Sequence, residues 1–427
     1  MKKNTTVAFQ TYGCKLNFAE TSTISKSFIE KAYEKVNFTE KADIYVINSC
    51  TVTDNAEKRC REAIRRAKRL NPHAKIALVG CYAQLRSNEL SKFQDVDFIL
   101  GNKEKFRLID HIENTTESCF SSNEEILKVK DFNPAYSIGD RTRTFLKIQD
   151  GCDYYCTFCA IPFARGRSRS DTIANTIKQA EEIAAQGQKE IILTGVNIGT
   201  FGKDSDESFF SLLQALENVE GIERIRISSI EPNLLTNEII DFAAHSSKIL
   251  PHFHIPLQSG SNHMLRLMKR KYKREVFESR VRHIKAKMPL ACIAADVIIG
   301  SPGESEDLFM ETYHFIENLD ISYLHIFTYS DRPEAKANQM PDKVSRADKK
   351  DRSQRLHQLG EQKKRDFYKL NTDTKHLVLW EAANKDGLMS GLTENYIPVI
   401  TKYDEKKINT TNQIILNNLN NKGEWTA

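Results

Sequence analysis

The sequence predicts an α/β chain in three parts: an N-terminal parallel βαβ domain over residues 3–118, a central partial (β/α)6 barrel over residues 138–368 and a small C-terminal β-barrel over residues 371–427. Three observations predict it. Short apolar runs alternate with helix-compatible segments up to about residue 110, and the alternation resumes from Arg143; such alternation builds parallel sheets. The second stretch holds six strand-like runs, fewer than a full eight-stranded barrel needs. Past residue 371 the helical pattern gives way to short β-like runs broken by Asn, Gly and Lys.

In the first part, residues 6–10, 44–48 and 76–79 read as strands, with 98–101 as a fourth, and residues 20–35 and 55–70 read as the helices between them. The second helix is the clearest. Cys60, Ala63, Ile64, Ala67 and Leu70 form one apolar stripe, basic residues take the other faces, and Asn71-Pro72 ends it, so Cys60 is a buried helix residue. Residues 110–135 lose periodicity and read as an irregular connection, with a boundary near 120–138 and an incidental Cys119. The central strands are expected at 145–148, 190–194, 224–228, 252–255, 292–299 and 323–328. Helices are expected at 172–186, 209–218, 235–245, 274–287 and 305–318, the first capped by Ser170 or Asp171. A charged helix over 345–369 leads to tail strands at 374–380, 395–400 and 412–416.

At 427 residues, with 40% hydrophobic and 28% charged residues, the chain has the composition of a soluble multidomain protein. No apolar run reaches the roughly 18 residues of a membrane span. Met1-Lys2-Lys3 passes into an amphipathic strand rather than a signal sequence, so a cytoplasmic protein with no membrane partner is expected. The net charge of +5 is unevenly spread. Residues 59–69 hold six basic side chains, Arg165, Arg167 and Arg169 alternate, and residues 343–364 are rich in Lys and Arg. Such patches fit a nucleic acid or, for the helices, a solvated face.

Nine cysteines spread through a chain of this size do not look like a disulfide framework. Cys152, Cys156 and Cys159 place three thiolates within eight residues, enough for three corners of an iron-sulfur cubane, and no fourth Cys or His lies nearby to complete a zinc site. An open iron at the end of a barrel strand is a catalytic feature. The C-x3-C-x2-C spacing, with Phe158 before the last Cys, resembles the signature of the radical S-adenosylmethionine (SAM) enzymes. That resemblance implies a [4Fe-4S] cluster whose open iron is chelated by the methionine moiety of SAM. Phe158 is either a core aromatic or a wall of the adenine pocket.

Each N-terminal strand runs into a cysteine: Gly13-Cys14, Ser49-Cys50 and Gly80-Cys81, at intervals of 36 and 31 residues. One βαβ unit per interval should bring all three to the carboxyl ends of neighbouring strands. They are either buried thiols or a second three-thiolate cluster site. The stretches Thr11-Tyr12-Gly13-Cys14-Lys15-Leu16-Asn17, Asn48-Ser49-Cys50-Thr51-Val52-Thr53 and Gly80-Cys81-Tyr82-Ala83-Gln84 look like the N-terminal domain of the methylthiotransferases. On that resemblance Cys14, Cys50 and Cys81 hold an auxiliary [4Fe-4S] cluster, while Asn17 and Asn48 either meet the cluster edge or serve the turn and strand end. The same resemblance implies SAM contacts from Gly195 and Asn197, from Arg226, Ser228 and Glu231, from Gln258 in the collection with His254 and Ser259, and from Gly300 in the turn 297–304. Gly195 and Gly300 either let a ligand approach closely or simply make their turns. Asp296 is a pocket residue or a satisfied core carboxylate. Arg165, Arg167 and Arg169 either contact phosphate or brace the two cluster domains. The tail resembles the RNA-binding TRAM domain.

The resemblance covers nearly the whole chain. It implies a radical SAM methylthiotransferase, most like the branch that converts N6-threonylcarbamoyladenosine at position 37 of tRNA to its 2-methylthio derivative. In that family one SAM methylates sulfur at the auxiliary cluster, and another is reductively cleaved to the radical that takes hydrogen from C2 of the adenine. A tRNA substrate and a reduced flavodoxin- or ferredoxin-type electron donor follow as partners. Three rivals are the isopentenyladenosine branch, the ribosomal-protein aspartate branch and a non-catalytic two-cluster electron carrier. Residues 50–53, Ile230-Glu231-Pro232 and the compact tail resemble the threonylcarbamoyl branch more than the isopentenyl one, and a carrier needs neither barrel nor open iron.

Overall fold

The computed structural model describes residues 5–51, 54–115, 120–122, 125–137, 139, 142–420 and 423–426; Val52, Thr53 and Cys119 lie outside them. The N-terminal sheet is built from β1 (Thr6–Thr11), β2 (Glu34–Val36), β3 (Ile44–Ser49), β4 (Lys75–Gly80), β5 (Phe98–Leu100) and β6 (Phe120–Ser122), in the order β2-β1-β3-β4-β5-β6 with every pair parallel. β3 is buried at every position, as a central strand covered on both faces must be. The register pairs Thr11 with Asn48 and Ser49 with Gly80, so the ends of β1, β3 and β4 are level.

Helices α1 (Lys15–Glu30), α2 (Asp54–Leu70) and α3 (Cys81–Leu90) connect this sheet. α2 follows its predicted stripe, with Cys60 fully buried and its thiol pushed up to about 12 by desolvation. α1 begins five residues before its expected start. Its inward face carries Asn17, Glu20, Thr21, Ser22 and Ser25, all buried, so apolar periodicity is a poor guide to it. The edge strand β2 takes the end of the segment expected to stay helical. β6 lies inside the stretch that reads as irregular, because three residues are too few to show a period of two.

The barrel opens with β7 (Ala135–Tyr136), antiparallel to β8 (Arg143–Lys147). β9 (Gln149–Asp150) and β10 (Arg169–Ser170) pair across the cysteine loop. β11 (Glu190–Thr194), β12 (Arg224–Ile227), β13 (His252–Gln258), β14 (Cys292–Ile299) and β15 (Tyr323–Thr328) complete it. The strands form two sheets, β12-β11-β8-β7 and β13-β14-β15, joined by the parallel bridges Ile225–Ile249 and Ser229–His254. All six predicted barrel strands are present. Their outer residues, among them Leu146, Ile191, Leu193, Ile225, Ile255, Ile293 and Ala295, join the helices in one apolar core. The alternate residues, Arg143, Glu190, Arg226, His254, Asp296 and His325, give a polar concave face. The core lies between strands and helices rather than inside the barrel.

The helix Arg346–Leu370 leads to the C-terminal sheet: β16 (Lys375–Lys385), β17 (Leu388–Leu392), β18 (Pro398–Lys402), β19 (Thr411–Ile415) and β20 (Trp425–Thr426), in the order β19-β16-β17-β18-β20. β17 escapes prediction because Ser390-Gly391 interrupts it. The glycine is required by packing, since a Cβ there would lie 2.8 Å from the Trp380 ring. The sheet docks through charge. Glu190, buried in β11, receives Arg224 Nε at 2.7 Å and Arg226 Nε at 3.0 Å. The same guanidiniums donate to the carbonyls of Leu377, Leu392, Thr393 and Glu394.

α1 packs beside β7 and β8, its Phe18 and Ala19 meeting Ala135, Phe145 and Ile192. At its centre the fully buried Glu20 binds Lys105 Nζ at 2.5 Å, Lys147 Nζ at 3.0 Å and Arg165 at 2.9 and 3.0 Å. Those cations hold the Glu20 carboxyl far below the usual carboxylate range against the opposing pull of burial. Glu20→Gln leaves buried cations short of an anion and should lower stability by about 3–5 kcal/mol. Denaturant unfolding of the anaerobically reconstituted protein reads this, with Glu30→Gln, whose pair with Lys26 is exposed, as the near-neutral comparison; equal losses in the two variants would contradict it.

Candidate functional site

The loop carrying Cys152, Cys156 and Cys159 hangs from the end of β9. Gln149, fully buried, ties it down: its Nε2 donates to the carbonyls of Asp150 and Gly151 and to Ser168 Oγ, and its Oε1 accepts from the amides of Val196 at 2.9 Å and Asn197 at 2.7 Å. One side chain therefore fixes the cysteine loop against the end of β11. Gly151 has φ +68°, and a Cβ there would overlap the Arg167 carbonyl.

Each sulfur of this triad has a donor aimed at it. The Tyr154 amide reaches Cys152 Sγ at 3.5 Å, the Ile161 amide reaches Cys159 Sγ at 3.4 Å, and Arg270 Nη1 reaches Cys156 Sγ at 3.1 Å. Arg270 is itself ion-paired with Glu231 and stacked over Tyr272. Burial pushes the Cys152 and Cys159 thiols up to about 11 and about 12, so a bound cation is needed to hold them as thiolates, and the donors suit that charged form. In a cubane each sulfur binds a different iron, so the three must stand apart. Among the described residues the group able to share a single ion is instead His254, Asp296 and His325, whose ligand atoms lie within 4.8 Å of one another. The residues present fit an iron-sulfur cluster at the triad.

Around the loop, buried polar atoms stand without protein partners. Asn197, 3% exposed, lies beside Cys152 and Tyr154 with neither amide atom at full hydrogen-bonding geometry; Gln258 Oε1 and Ser301 Oγ have no partner. Such atoms at strand ends fit a polar ligand in place of water. Phe158, Cys159, Gln258, Asp296, Ile298 and Phe327 line a cavity of about 190 Å³, which Thr51, next to Cys50, also borders. Phe327 is 45% exposed there. Thr51 donates to Glu57, and Glu57 accepts from Arg332 at 3.0 Å, so this wall joins the N-terminal sheet to the barrel.

Other candidates fall differently. Gly195 packs on Gln149, whose carbonyl would lie 2.9 Å from an added Cβ, and Gly300 packs against the Lys349 stem at φ +72°, so chain packing already requires both glycines. Ser228 is buried just past the end of β12, and Ser259 bonds Thr312 in the helical layer. Arg226 points the other way. Glu190 is the first residue of β11, and the guanidinium that pairs with it points to the amino ends of the strands and the C-terminal sheet rather than to the cysteine loop. Asp296 accepts from His254 Nε2 at 2.6 Å and also borders the cavity.

Cys14, Cys50 and Cys81 follow β1, β3 and β4, Cys14 open to solvent and the other two buried. Gly13 makes room for Cys50, whose Cβ would lie 2.8 Å from an added one. Asn17 donates to the Tyr12 and Ser49 carbonyls and its Oδ1 lies 3.8 Å from Cys14 Sγ, and Asn48 donates to the Asn17 carbonyl and Thr21, so both fasten the strand ends and Asn17 also meets a cysteine. Asn102, which no sequence signal marks, donates to Cys81 Sγ at 3.5 Å and to the Ala164 carbonyl at 2.7 Å.

The three arginines divide. Arg165, fully buried, binds Glu20, Asp150 and Asn17 and braces the two cysteine regions. Arg169 binds Asp150 and three backbone carbonyls, while Arg167 is exposed. Lys15 projects onto the barrel's concave face without a hydrogen-bond or ion-pair partner among the described residues. Burial, then Arg226 and Arg143, lower its pKa to about 8.

Comparison with known proteins agrees with this geometry. Residues 6–101 match the Uncharacterized protein family UPF0004, and residues 146–316 match the Radical SAM superfamily. The threonylcarbamoyladenosine tRNA methylthiotransferase MtaB of Bacillus subtilis is 41% identical, covering 94% of this chain and 92% of its own length. MtaB of Aquifex aeolicus is 40% identical over 92% and 96%. The tRNA-2-methylthio-N(6)-dimethylallyladenosine synthase of Natranaerobius thermophilus is 34% identical over 90% and 88%. The solved radical S-adenosylmethionine methyltransferase TsrM of Kitasatospora setae shares the fold, with a TM-score of 0.56 at 15% identity, covering 79% of this chain and 74% of its own. No helix among the described residues is long and apolar enough to cross a membrane.

Arg270→Gln removes the charged donor from Cys156 while keeping all three sulfurs. Iron bound at this triad should be unchanged, and the cluster's midpoint potential should move to a more negative value, because a cation beside the thiolate favours the reduced, more negative state. An anaerobic redox titration followed by electron paramagnetic resonance measures it; an unmoved potential would show that the contact carries no electrostatic weight.

Proposed function

Since this chain belongs to the tRNA methylthiotransferase family of radical SAM enzymes, we propose that it methylthiolates C2 of N6-threonylcarbamoyladenosine at position 37 of tRNA. The observation that carries the substrate is the 41% and 40% identity to two threonylcarbamoyladenosine enzymes over more than nine-tenths of their lengths, against 34% for the dimethylallyladenosine synthase.

Held by Cys152, Cys156 and Cys159, an iron-sulfur cluster with one open iron would supply the electron and the SAM chelation that start the chemistry. The chain's own residues place the reactants. Gln149 holds the loop rigid, Arg270 neutralises charge at Cys156, and Asn197, Gln258 and Ser301 offer their polar atoms to SAM. Phe158 flanks the 190 Å³ cavity and Phe327 offers it an exposed aromatic face, suited to stacking an unpaired base. The second triad, Cys14, Cys50 and Cys81, would hold an auxiliary [4Fe-4S] cluster. The surrounding network supports this, setting Arg165, Lys105, Lys147 and Arg169 against only Glu20 and Asp150. Its surplus positive charge suits a cluster of thiolates.

This reading divides the chain into an auxiliary-cluster unit over residues 3–118, a SAM unit over 138–368 and a TRAM-like RNA-binding unit over 371–427. Arg167 and the exposed Arg59, Arg65, Arg66 and Arg69 of α2 are free to meet tRNA phosphates. A reduced flavodoxin or ferredoxin would deliver electrons in the cytoplasm.

Deleting the gene should remove 2-methylthio-N6-threonylcarbamoyladenosine from digested total tRNA and let the unmethylthiolated nucleoside accumulate, as read by nucleoside mass spectrometry against the complemented strain. Loss of the isopentenyl methylthio nucleoside instead would move the assignment to the rival branch. Reconstituted protein should hold about eight irons, and about four after either triad is changed to alanine. Only the Cys152, Cys156 and Cys159 variant should lose reductive SAM cleavage. Equal loss of cleavage in both folded variants would refute the division of labour.

A further inference from the structure

The concave face of the barrel carries cations that the chemistry above leaves unused. Arg226 is 1% exposed, with Nε on Glu190, Nη1 on the Glu394 carbonyl and its guanidinium over the Tyr396 ring, but its Nη2 is buried without a hydrogen-bond partner. Lys15 enters the same space from the first turn of α1, with Arg226, Arg143, the Cys14 sulfur and Asp296 as its charged or ionisable neighbours. Asp296 is already taken by His254. His252, 4% exposed with Nδ1 unpaired, and His325 face the same space, and an imidazole, neutral or protonated, brings no anion. A buried guanidinium nitrogen and an unpaired ammonium on one surface are short of an acceptor.

The surface is continuous with the cavity that would receive the base. Along β14 and β15 the inward residues Ile298 and Phe327 border that cavity, and Asp296 and His325 stand next in register, about 7 Å toward the amino ends. Lys15 is adjacent to Cys14 in the chain, so the subsite lies beside the second cysteine triad. A group hanging from N6 of an adenine held in the cavity would extend down this face. In threonylcarbamoyladenosine that group ends in a carboxylate, whereas the dimethylallyl group of the rival substrate is uncharged and apolar.

We propose that Lys15 and Arg226 form, on the concave face of the barrel, the subsite that binds the carboxylate of the threonylcarbamoyl group. The inference rests on the substrate reading above and adds the residues that select it. Lys15 supplies a mobile charge and Arg226 a fixed donor, held in place by Glu190 and the C-terminal sheet. A substrate without the carboxylate leaves both unsatisfied, which is how a polar site rejects an apolar analogue.

The test uses reconstituted enzyme and fluorescent anticodon stem-loops bearing threonylcarbamoyladenosine or its carboxamide at position 37, with binding read by anisotropy and turnover by mass spectrometry. Wild type should bind the carboxylate at least about tenfold more tightly, the size of one charge-assisted hydrogen bond. Lys15→Met should lose most of that preference with its iron content intact, and Lys15→Arg should keep it. Equal binding of the two stem-loops by wild type, or an undiminished preference in Lys15→Met, would overturn the subsite. If Lys15→Met lost its iron, the wild-type comparison would decide alone. Methylthiolation of both stem-loops without preference would refute the subsite and leave the substrate reading standing; binding preference without methylthiolation of either would do the reverse.

Discussion

The buried carboxylate of Glu20 is the interaction on which the relation between the two cysteine triads depends. It sits on α1, one turn and a half after Cys14, and binds Lys105 from the N-terminal part, Lys147 from the first long barrel strand and Arg165 from the segment that follows Cys159. Desolvating so many charges is costly, and pairs of this kind seldom stabilise a protein more than apolar packing of the same volume would. What the network provides is placement. Arg165 binds Glu20, Asp150 and Asn17 at once, so the cysteine loop, the barrel strand that carries it and the helix that follows Cys14 are tied to one another. A radical enzyme needs that constraint around its reacting centre, since a displacement of about 1 Å is enough to cost about a hundredfold in rate.

A second constraint follows from the distribution of polarity in the barrel. Full barrels fill their interior with apolar layers. Here most apolar residues of the strands face the helices, and beside Phe145, Ile192, Ile298 and Phe327 the concave face carries Arg143, Glu190, Arg226, His252, His254, Asp296 and His325. Such a face cannot close on itself without leaving charges unpaired. It is covered from the side by α1, from the amino ends by the C-terminal sheet through Arg224 and Arg226, and it is left open toward the cavity beside Cys159. The C-terminal sheet thus does more than extend the chain: its backbone carbonyls hold the arginines that shape the floor of the site.

Much of this was legible in the sequence. The barrel strands 190–194, 292–299 and 323–328 coincide with their predicted bounds, because β-branched and aromatic runs bounded by turns mark strands whatever surrounds them. The six cysteines were legible for a similar reason: three lie close together in the chain, and the other three end successive strands of one parallel sheet, which must bring them level. α1, β6 and β17 were poorly legible. α1 buries polar residues for a network that exists only after folding, β6 is three residues long, and β17 is interrupted by a glycine whose place is set by Val378 and Trp380 across the sheet.

The sequence by itself determined the order of elements and the placing of six cysteines, three in one loop and three at the ends of successive strands, because these rest on spacing along the chain and on local preference. Only the tertiary structure decided which polar residues stand around those cysteines. Gln149, Asn102 and Arg270 carry no signal of their own, and they matter because folding brings them to an amide, a sulfur and a carboxylate far away in the chain. Arg165, Arg167 and Arg169 are indistinguishable in sequence, yet one is buried as a brace, one faces solvent and one closes the loop. A guanidinium has no role until the fold supplies its acceptors, and acceptors separated by more than a hundred residues are set by packing and burial rather than by sequence pattern.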